Sequence, residues 1–402
     1  MLIQVHLIQN HNPSNLNRDD LGAPKTCYFG GVLRARISSQ CLKRAIRTSK
    51  EFQKLLGGVR TRRLAWLIAE AAGDPDLASK VEGVLEECGF KQQKSKPKQD
   101  VTDEDDLEST PTESKMLVYT TGEAIKKMAQ EIKDTSKDDK SLAEKFAKII
   151  AENTAVPDMA LCGRMLEPSA KIWKDLNTTV EAALQVAHAF STHAVLPETD
   201  YYVAADDVPG RDAGAGYVDT AMFLSACFYK YFSINWETLT ENLVASGKDH
   251  EKLAAHTVGA FIKTAALVNP SGKQNSYAAH NLPDGLLVEI RDVPISYANA
   301  FVAPVRVEDG NLVEQSISQL AHYVYDLDVG YGAPQQRFWF SPNLRYKLVA
   351  SVKNENGSVC DKDLVEKVNA FSKLEELVDS VIEAIGYDWE EVQKLTVEGI
   401  QA

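Results

Sequence analysis

The sequence predicts an α+β fold of ferredoxin-like type, a sandwich of strands and helices interrupted by a helical insertion. Three observations predict it. The chain opens with a β-β-α order, roughly a hundred residues then carry mainly helical periodicity, and the second half returns to strands alternating with long helices.

The elements follow in chain order. Ile3, Val5 and Leu7 alternate with Gln4 and His6, the pattern of a first strand, and the Asn-rich run Asn10–Asp20 with Pro13 reads as a loop. Val32–Ile37 is a second strand. Leu33, Ala35 and Ile37 share one face and Arg34 and Arg36 the other, because strand side chains alternate. Ser38 and Ser39 are N-cap candidates for a helix running to about Leu56. On it Leu42, Ala45, Ile46 and Ser49 form one face, and Lys43, Arg47, Lys50 and Lys54 the opposite one.

From Arg60 to about Ala155 the segments Leu64–Ala72, Ala78–Glu87, Lys115–Ile132 and Ser141–Glu152 are expected to be helical. Thr178–His193 reads as another apolar-striped helix, on which His188 and His193 are structural. Leu196–Tyr217, rich in Gly, Pro, Asp and Tyr, reads as a projecting hairpin or loop. Ala221–Ile234 and Gly285–Arg291 are strands; Asp249–Leu267, Ile317–Tyr325 and Asp363–Ile385 are helices.

Composition excludes several classes. With 402 residues, 44% hydrophobic and 25% charged, the chain is an ordinary globular protein of two to three domains, not a collagen, a disordered chain or a disulfide scaffold. No apolar run reaches the length of a membrane span, and Met1–Ile8 lacks the flanks of a signal peptide. Cys27, Cys41, Cys88, Cys162, Cys227 and Cys360 are scattered without a C-x-x-C pair, which fits a reducing cytoplasm. The sequence carries no zinc-ligand spacing, no phosphate-binding glycine loop and no nucleophile elbow, so no metal, cofactor or catalytic residue is expected.

Charge is unevenly spread around a net −13. From Leu21 to Lys50 there is no Asp or Glu, while Lys25, Arg34, Arg36, Lys43, Arg44, Arg47 and Lys50 all fall there. Such a patch is solvated or faces an anion. Against it stands the acidic stretch Asp100–Glu113, preceded by Lys91, Lys94, Lys96 and Lys98, which buries too little apolar surface to order itself and reads as a mobile loop near 91–114.

A series of short motifs occurs in order: Asn17-Arg18-Asp19-Asp20; Arg36-Ile37-Ser38-Ser39-Gln40; Leu42-Lys43-Arg44-Ala45; Ala160-Leu161-Cys162-Gly163-Arg164-Met165; Ala187-His188-Ala189 with Ser191-Thr192-His193; Lys273-Gln274; Tyr277-Ala278-Ala279; and Ala298-Asn299-Ala300-Phe301. Together they resemble the backbone subunit (CasC) of Cascade, the type I-E CRISPR surveillance complex of the RAMP superfamily. The resemblance runs from about Leu2 to Gly332 and weakens beyond about Arg337.

The resemblance implies a hand-like architecture. An RRM-like palm takes 1–50, 160–195 and 218 onward with a C-terminal helical extension. Helical fingers take 51–159, and a thumb hairpin takes 196–217. It implies copies that polymerise along CRISPR RNA into a filament, each thumb reaching over its neighbour's RNA and flipping a base at regular intervals. The bases between kinks then pair with target DNA, other Cascade subunits complete the complex, and a recruited helicase-nuclease degrades the DNA. In such effectors pairing reads sequence and protein reads backbone shape.

The residues expected at the RNA follow from chemistry and resemblance together. Cations for phosphate are Arg18, Lys25, Arg34, Arg36, Lys43, Arg44 and Arg47; Ser38, Ser39 and Gln40 add donors at the helix start. Gly163 precedes Arg164 and Met165, a cation beside a flexible apolar wedge. Tyr201, Tyr202 and Tyr217 of the thumb are stacking candidates, and Lys273 and Gln274 reach nucleic acid from a loop. Two rival readings differ in the residues they require. A type III-like endoribonuclease would need Asp19 and Asp20 as metal ligands, a poor pair without a third acid. A generic RRM protein would show an aromatic RNP1 motif, which the sequence lacks.

Overall fold

The first strand, β1 (Leu2–Ser14), shows how the sheet is built. Ile3, Val5 and Leu7 are buried as their alternation requires, yet Gln4 and His6 on the alternate positions are buried too, as are Gln9 and His11 further along the first face. A strand with polar residues buried on its pleat is central, and β1 pairs antiparallel on one side with Gly285–Arg291 and on the other with Tyr217–Asn235. The strand runs on to Ser14, with a register shift after His11, so the expected loop starts later than Asn10. A computed structural model describes residues 1–53, 55–94, 112–134, 138–204, 217–306, 311–354 and 356–395.

The chain forms two compact units. The first comprises Met1–Gln53, Leu184–Trp236 and Val258–Gln393. It holds a mostly antiparallel sheet of ten strands among the described residues. Beyond β1 and its neighbours the sheet continues through the short strand Ala189–Ser191 to β3 (Val32–Ile37) and β2 (Thr26–Phe29). On its other side it continues through Gln336–Phe340 to Ala370–Phe371, the latter pair being parallel. One face is covered by the helix Leu312–Tyr331, whose Ile317, Leu320 and Val324 pack with Tyr229, Leu287 and Trp339. Within this unit Gly259 lies so close to Trp389 that any side chain there would meet the indole at 2.2 Å.

The polar positions of β1 are satisfied only in part, since His6 Nε2 and both ring nitrogens of His11 are buried without a hydrogen-bond partner among the described residues. His6 Nδ1 contacts the Tyr229 hydroxyl at 2.9 Å, and its ring stacks against Tyr231 and tilts against Tyr297. Burial pushes its pKa down to about 4. Beside it Glu289 receives Arg291 at 2.9 Å and Arg337 at 2.6 Å, and both guanidiniums also reach Asp328. Tyr297 donates its hydroxyl to Glu289 as well.

The second unit, Lys54–Ala183 with Glu237–Thr257, is mainly helical. Leu64–Ala72, Ala78–Glu87, Gly122–Ile132 and Asp139–Glu152 bury one apolar stripe each, meeting around Ile68, Leu85, Met128, Phe146 and Trp173. Thr121 and Asp138 cap two of these helices by accepting from Ala124 and Ser141 N–H. Buried Asp158 accepts from the Tyr119 hydroxyl and from Gly58 N–H. Residues 160–183, expected with the palm, fall in this unit.

Four secondary-structure expectations are corrected. Thr178–His193 is not a helix but three short strands, because Leu184–Val186 and Ala189–Ser191 find edge partners in Tyr217–Asn235; His188 and His193 therefore sit just outside strands, on either side of Ala189–Ser191. Val118–Thr121 is a strand paired to Gly58–Thr61, so the helix expected from Lys115 starts at Gly122. In Asp363–Ile385 only Leu374–Ala384 is α-helical, since Asp363 ends a hairpin strand and Ala370–Phe371 joins the main sheet. The helix after Ser38 breaks at Thr48 and resumes as the single turn Lys50–Gln53, and Lys54 lies outside the described residues. Near 91–114, Gln92–Lys94 pairs with Thr112–Ser114; residues 95–111, on which the expected mobile loop rests, lie outside the described residues.

Candidate nucleic-acid interface

The acid-free stretch folds into one corner of the first unit. Asn17 organises it: its side-chain oxygen accepts from Ser38 N–H at 2.9 Å, and its backbone carbonyl accepts from Lys25 N–H at 2.8 Å. The Asn17–Lys25 loop is thereby clamped to the start of helix α1 (Ser39–Arg47). Asp19 Oδ1 accepts from Leu21 and Ala23 N–H, so one of its oxygens is committed to shaping the loop. Ser38 is the N-cap, accepting from Cys41 N–H; α1 has no acidic residue in its first turn and Arg44 and Arg47 in its last. The cap uses one oxygen, and the remaining first-turn N–H groups carry the positive end of the helix dipole.

Leu42, Ile46 and Ser49 are buried, as the apolar stripe requires. The wettest line of α1 is Gln40, Arg44 and Thr48; Lys43 and Arg47 are half-buried flanks rather than the opposite face. Lys43 leans toward the Leu184 carbonyl at 3.5 Å, because the Leu184–Val186 strand packs beside the helix. Arg36 is half-buried, held by the Thr26 carbonyl and a 3.2 Å contact with His188 Nδ1. Burial first, then Arg36 and Lys25, push the His188 pKa down, so the ring accepts from the guanidinium. Arg18, Lys25, Arg36, Lys43 and Arg44 have no carboxylate within ion-pair distance among the described residues.

A cleft of about 780 Å³ opens among the Leu16–Asp20 loop, the Cys41–Ser49 side of α1 and the turn Val268–Gly272. Arg18 and Arg44 line it with Asp19 and Asp20. The turn is pressed onto the loop: a side chain at Gly272 would meet the Leu16 carbonyl at 2.4 Å. Next to it Lys273 and Ala278 both adopt left-handed backbone, at φ 46°, around the single turn Gln274–Tyr277. Gln274 Nε2 donates to the Pro270 and Ala279 carbonyls, so Gln274 shapes this turn from within while Lys273 stays half-exposed.

Two expected RNA ligands are corrected. Arg34 is wholly buried and donates to the Phe29, Ser191, Phe301 and Val302 carbonyls. Its strand lies between β2 and Ala189–Ser191, so the face it was expected to share with Arg36 is covered at Arg34. Arg164, in the second unit, is also buried, donating to the Ile150 and Asn177 carbonyls; burial pulls its pKa down to about 10. Strand alternation then turns Met165 outward, 70% exposed. Gly163 before it has φ 75° and would clash with the Val180 carbonyl if it bore a side chain.

The expected thumb hairpin takes its described form from Glu198–Ala204 paired with residues Tyr217–Phe223 of the long strand. Tyr201 is 65% exposed, while Tyr202, on the opposite face, donates to Asp219. Tyr217 enters the ladder opposite Ala204; residues 205–216 lie outside the described residues. Sequence reasoning missed Asn17, Asn269 and the Glu289 cluster. The Asn-rich run signalled a loop but not which side chain clamps it, and buried ion pairs leave no local signature.

The comparisons with known proteins bear on the whole chain. The model of the CT1975-like protein family matches residues 3–366. A chain from a complex described as a CRISPR RNA-guided surveillance complex, pre-nicking, superposes with a TM-score of 0.75 at 26% identity, covering 96% of this chain and 100% of that one. A chain from another CRISPR RNA-guided surveillance complex gives 0.57 at 23% identity over the same shares, a likeness of fold. No curated protein sequence matches. With the family model spanning nearly the whole chain, the protein belongs to the CT1975-like family.

Proposed function

We propose that the protein is a backbone subunit of a CRISPR RNA-guided surveillance complex of Cascade type. The observation that carries this reading is the full-length likeness to a chain of such a complex, joined to family membership. The protein holds guide RNA by its phosphates and has a structural role without catalysis of its own. Arg18, Lys25, Arg36, Lys43, Arg44, Arg47 and Lys273 supply cations, and Ser39 and Gln40 supply donors. What supports this is their convergence in the first unit, several of them without a carboxylate partner. Met165 acts as a wedge where a base leaves the stack, and the hairpin bearing Tyr201 and Tyr217 reaches over the RNA held by the next copy. Kinked guide RNA presents its free bases to target DNA, and a helicase-nuclease recruited to the cytoplasmic complex cuts that DNA.

The test is assembly. At a net charge of −13 the chain repels its own copies, so it stays dispersed alone and forms a multi-copy particle on guide RNA. Light scattering with and without guide RNA reads this directly. An RNA-free particle of the same size would remove RNA as the template, and regularly spaced cuts in complementary RNA with Mg²⁺ would favour the ribonuclease reading.

A further inference from the structure

Beneath the cleft lies a buried cation with no ionic partner among the described residues. Lys230, in the strand Tyr217–Asn235, is 1% exposed and donates to Gln9 Oε1. An ammonium taken out of water is expensive unless its surroundings use it. Its one acceptor is the first link of a chain. With Oε1 turned to Lys230, the Gln9 amide nitrogen must point the other way, and it donates to Asn269 Oδ1 at 2.9 Å and to the Asn281 carbonyl at 2.6 Å. With its oxygen thus occupied, Asn269 donates through Nδ2 to the Asn281 carbonyl at 2.9 Å. An amide nitrogen has two hydrogens, and the second one has no acceptor among the described residues. Asn269 lines the cleft beside Arg44.

Every hydrogen bond in this chain runs outward from the ammonium, so each amide is polarised in the same sense, and the last amide belongs to a residue that lines the cleft. We propose that Asn269 donates a hydrogen bond to a phosphate oxygen of bound RNA in this cleft, and that Lys230, through Gln9, is the positioning residue that keeps the Asn269 amide turned to donate. The inference rests on the RNA-binding reading above. It adds a neutral ligand and an orienting cation to the surface cations. Asp19 and Asp20 share the cleft and oppose an anion there, which makes a correctly turned donor more valuable on the Asn269 side.

The test is fluorescence anisotropy of a labelled single-stranded RNA on the full chain, with thermal melting as a fold control. Wild-type protein that fails to bind RNA overturns the parent reading. If it binds, Asn269→Asp lowers affinity about tenfold and Asn269→Ala several-fold, in protein that still unfolds cooperatively above the assay temperature. Lys230→Met weakens binding without altering the salt slope, since Lys230 touches no phosphate, whereas Arg44→Ala lowers that slope by roughly 0.7. Burial pulls the Lys230 pKa down to about 8, so wild-type affinity falls between pH 7 and pH 9 as the ammonium is lost. The titratable groups facing Lys230 are His11 on β1, held neutral by burial with a pKa near 3, and Cys41 on α1, whose thiol burial pushes up; Lys25 and Arg44 lie around Cys41. Cys41→Ala keeps the pH dependence and Lys230→Met loses it. Unchanged affinity in Asn269→Asp, or a pH dependence that survives Lys230→Met, would overturn the inference. Should Lys230→Met not fold, the wild-type pH profile, the Cys41→Ala profile and the Asn269 variants still decide it.

Discussion

Charge is buried in two opposite ways within the first unit. Around Glu289 two carboxylates face two guanidiniums, each group has a partner within 3.2 Å, and the sum is zero. Burial alone would raise the Glu289 pKa, but the guanidiniums of Arg337 and Arg291 hold it below its ordinary value. Around the cleft the positive groups outnumber their partners: Lys230 has one neutral acceptor, and Arg18 and Arg44 have no ion-pair partner among the described residues. The first cluster is closed and serves the fold. The second is open, and in the function proposed above the phosphates of bound RNA complete it. A net charge of −13 conceals this division, because apart from Asp19 and Asp20 the acids that dominate the total lie outside the cleft that Arg18 and Arg44 line.

The comparison can be broken most forcibly at the closed cluster. Arg337→Ala leaves Glu289 buried with one fewer partner and is expected to destabilise the protein by about 3–5 kcal/mol. Urea unfolding measures it, and Lys25→Ala in the open region should leave the midpoint unchanged. A second break is acid. His6 is neutral in the fold, with a pKa of about 4 against an unfolded value near 6.5. The unfolded chain therefore takes up the proton first as pH falls. Stability is full above pH 6.5 and declines down to pH 4, by on the order of 3 kcal/mol from His6. Melting curves of wild type and His6→Gln over that range should differ in slope; parallel curves would remove His6 as the cause.

Neighbouring arginines on one strand sharpen the contrast. Arg34→Met strips four carbonyls of their donor and is expected to cost about 1–3 kcal/mol of stability. Arg36→Met should cost less stability and weaken RNA binding instead, so a pair of melts and a pair of binding curves should cross. Reversing Lys43 and Arg47 together to Glu should abolish guide RNA retention in a protein that still folds. Copurification with full-length guide would show the patch is misassigned. The smallest effect is expected at Met165→Ala. Binding stays near wild type because phosphate contacts dominate affinity. Chemical probing of bound RNA should nonetheless show a weakened periodic pattern of exposed bases.

The strongly periodic elements were legible from the residues alone. Gly285–Arg291 matches its expected limits, and Leu64–Ala72 and Ala78–Glu87 do likewise, because each carries its own apolar pattern. Thr178–His193 misled because its apolar spacing suits a helix, while the long neighbouring strand offers it edge hydrogen bonds that only tertiary structure supplies. At the candidate interface the acid-free run marked a segment that the structure gathers into one corner of the first unit. It could not separate Arg36, half-exposed, from Arg34, sealed by carbonyls that arrive from residues 157 and 267 positions away. The same limit hid Asn269 and Lys230, whose shared role depends on Gln9 from the opposite end of the chain.

The strand Tyr217–Asn235 belongs to two structures at once. Its first seven residues make the hairpin with Glu198–Ala204, and from Leu224 onward it is locked between β1 and its other neighbours in the main sheet. Nineteen extended residues span roughly 60 Å at about 3.3 Å each, with no interruption between the two roles. The hairpin is therefore a cantilever clamped at one end, not an arm on a pivot. A load on its described end, Ala204 opposite Tyr217, is carried as bending of one continuous ladder into the sheet that holds Lys230, and the course of that ladder is set by sheet twist.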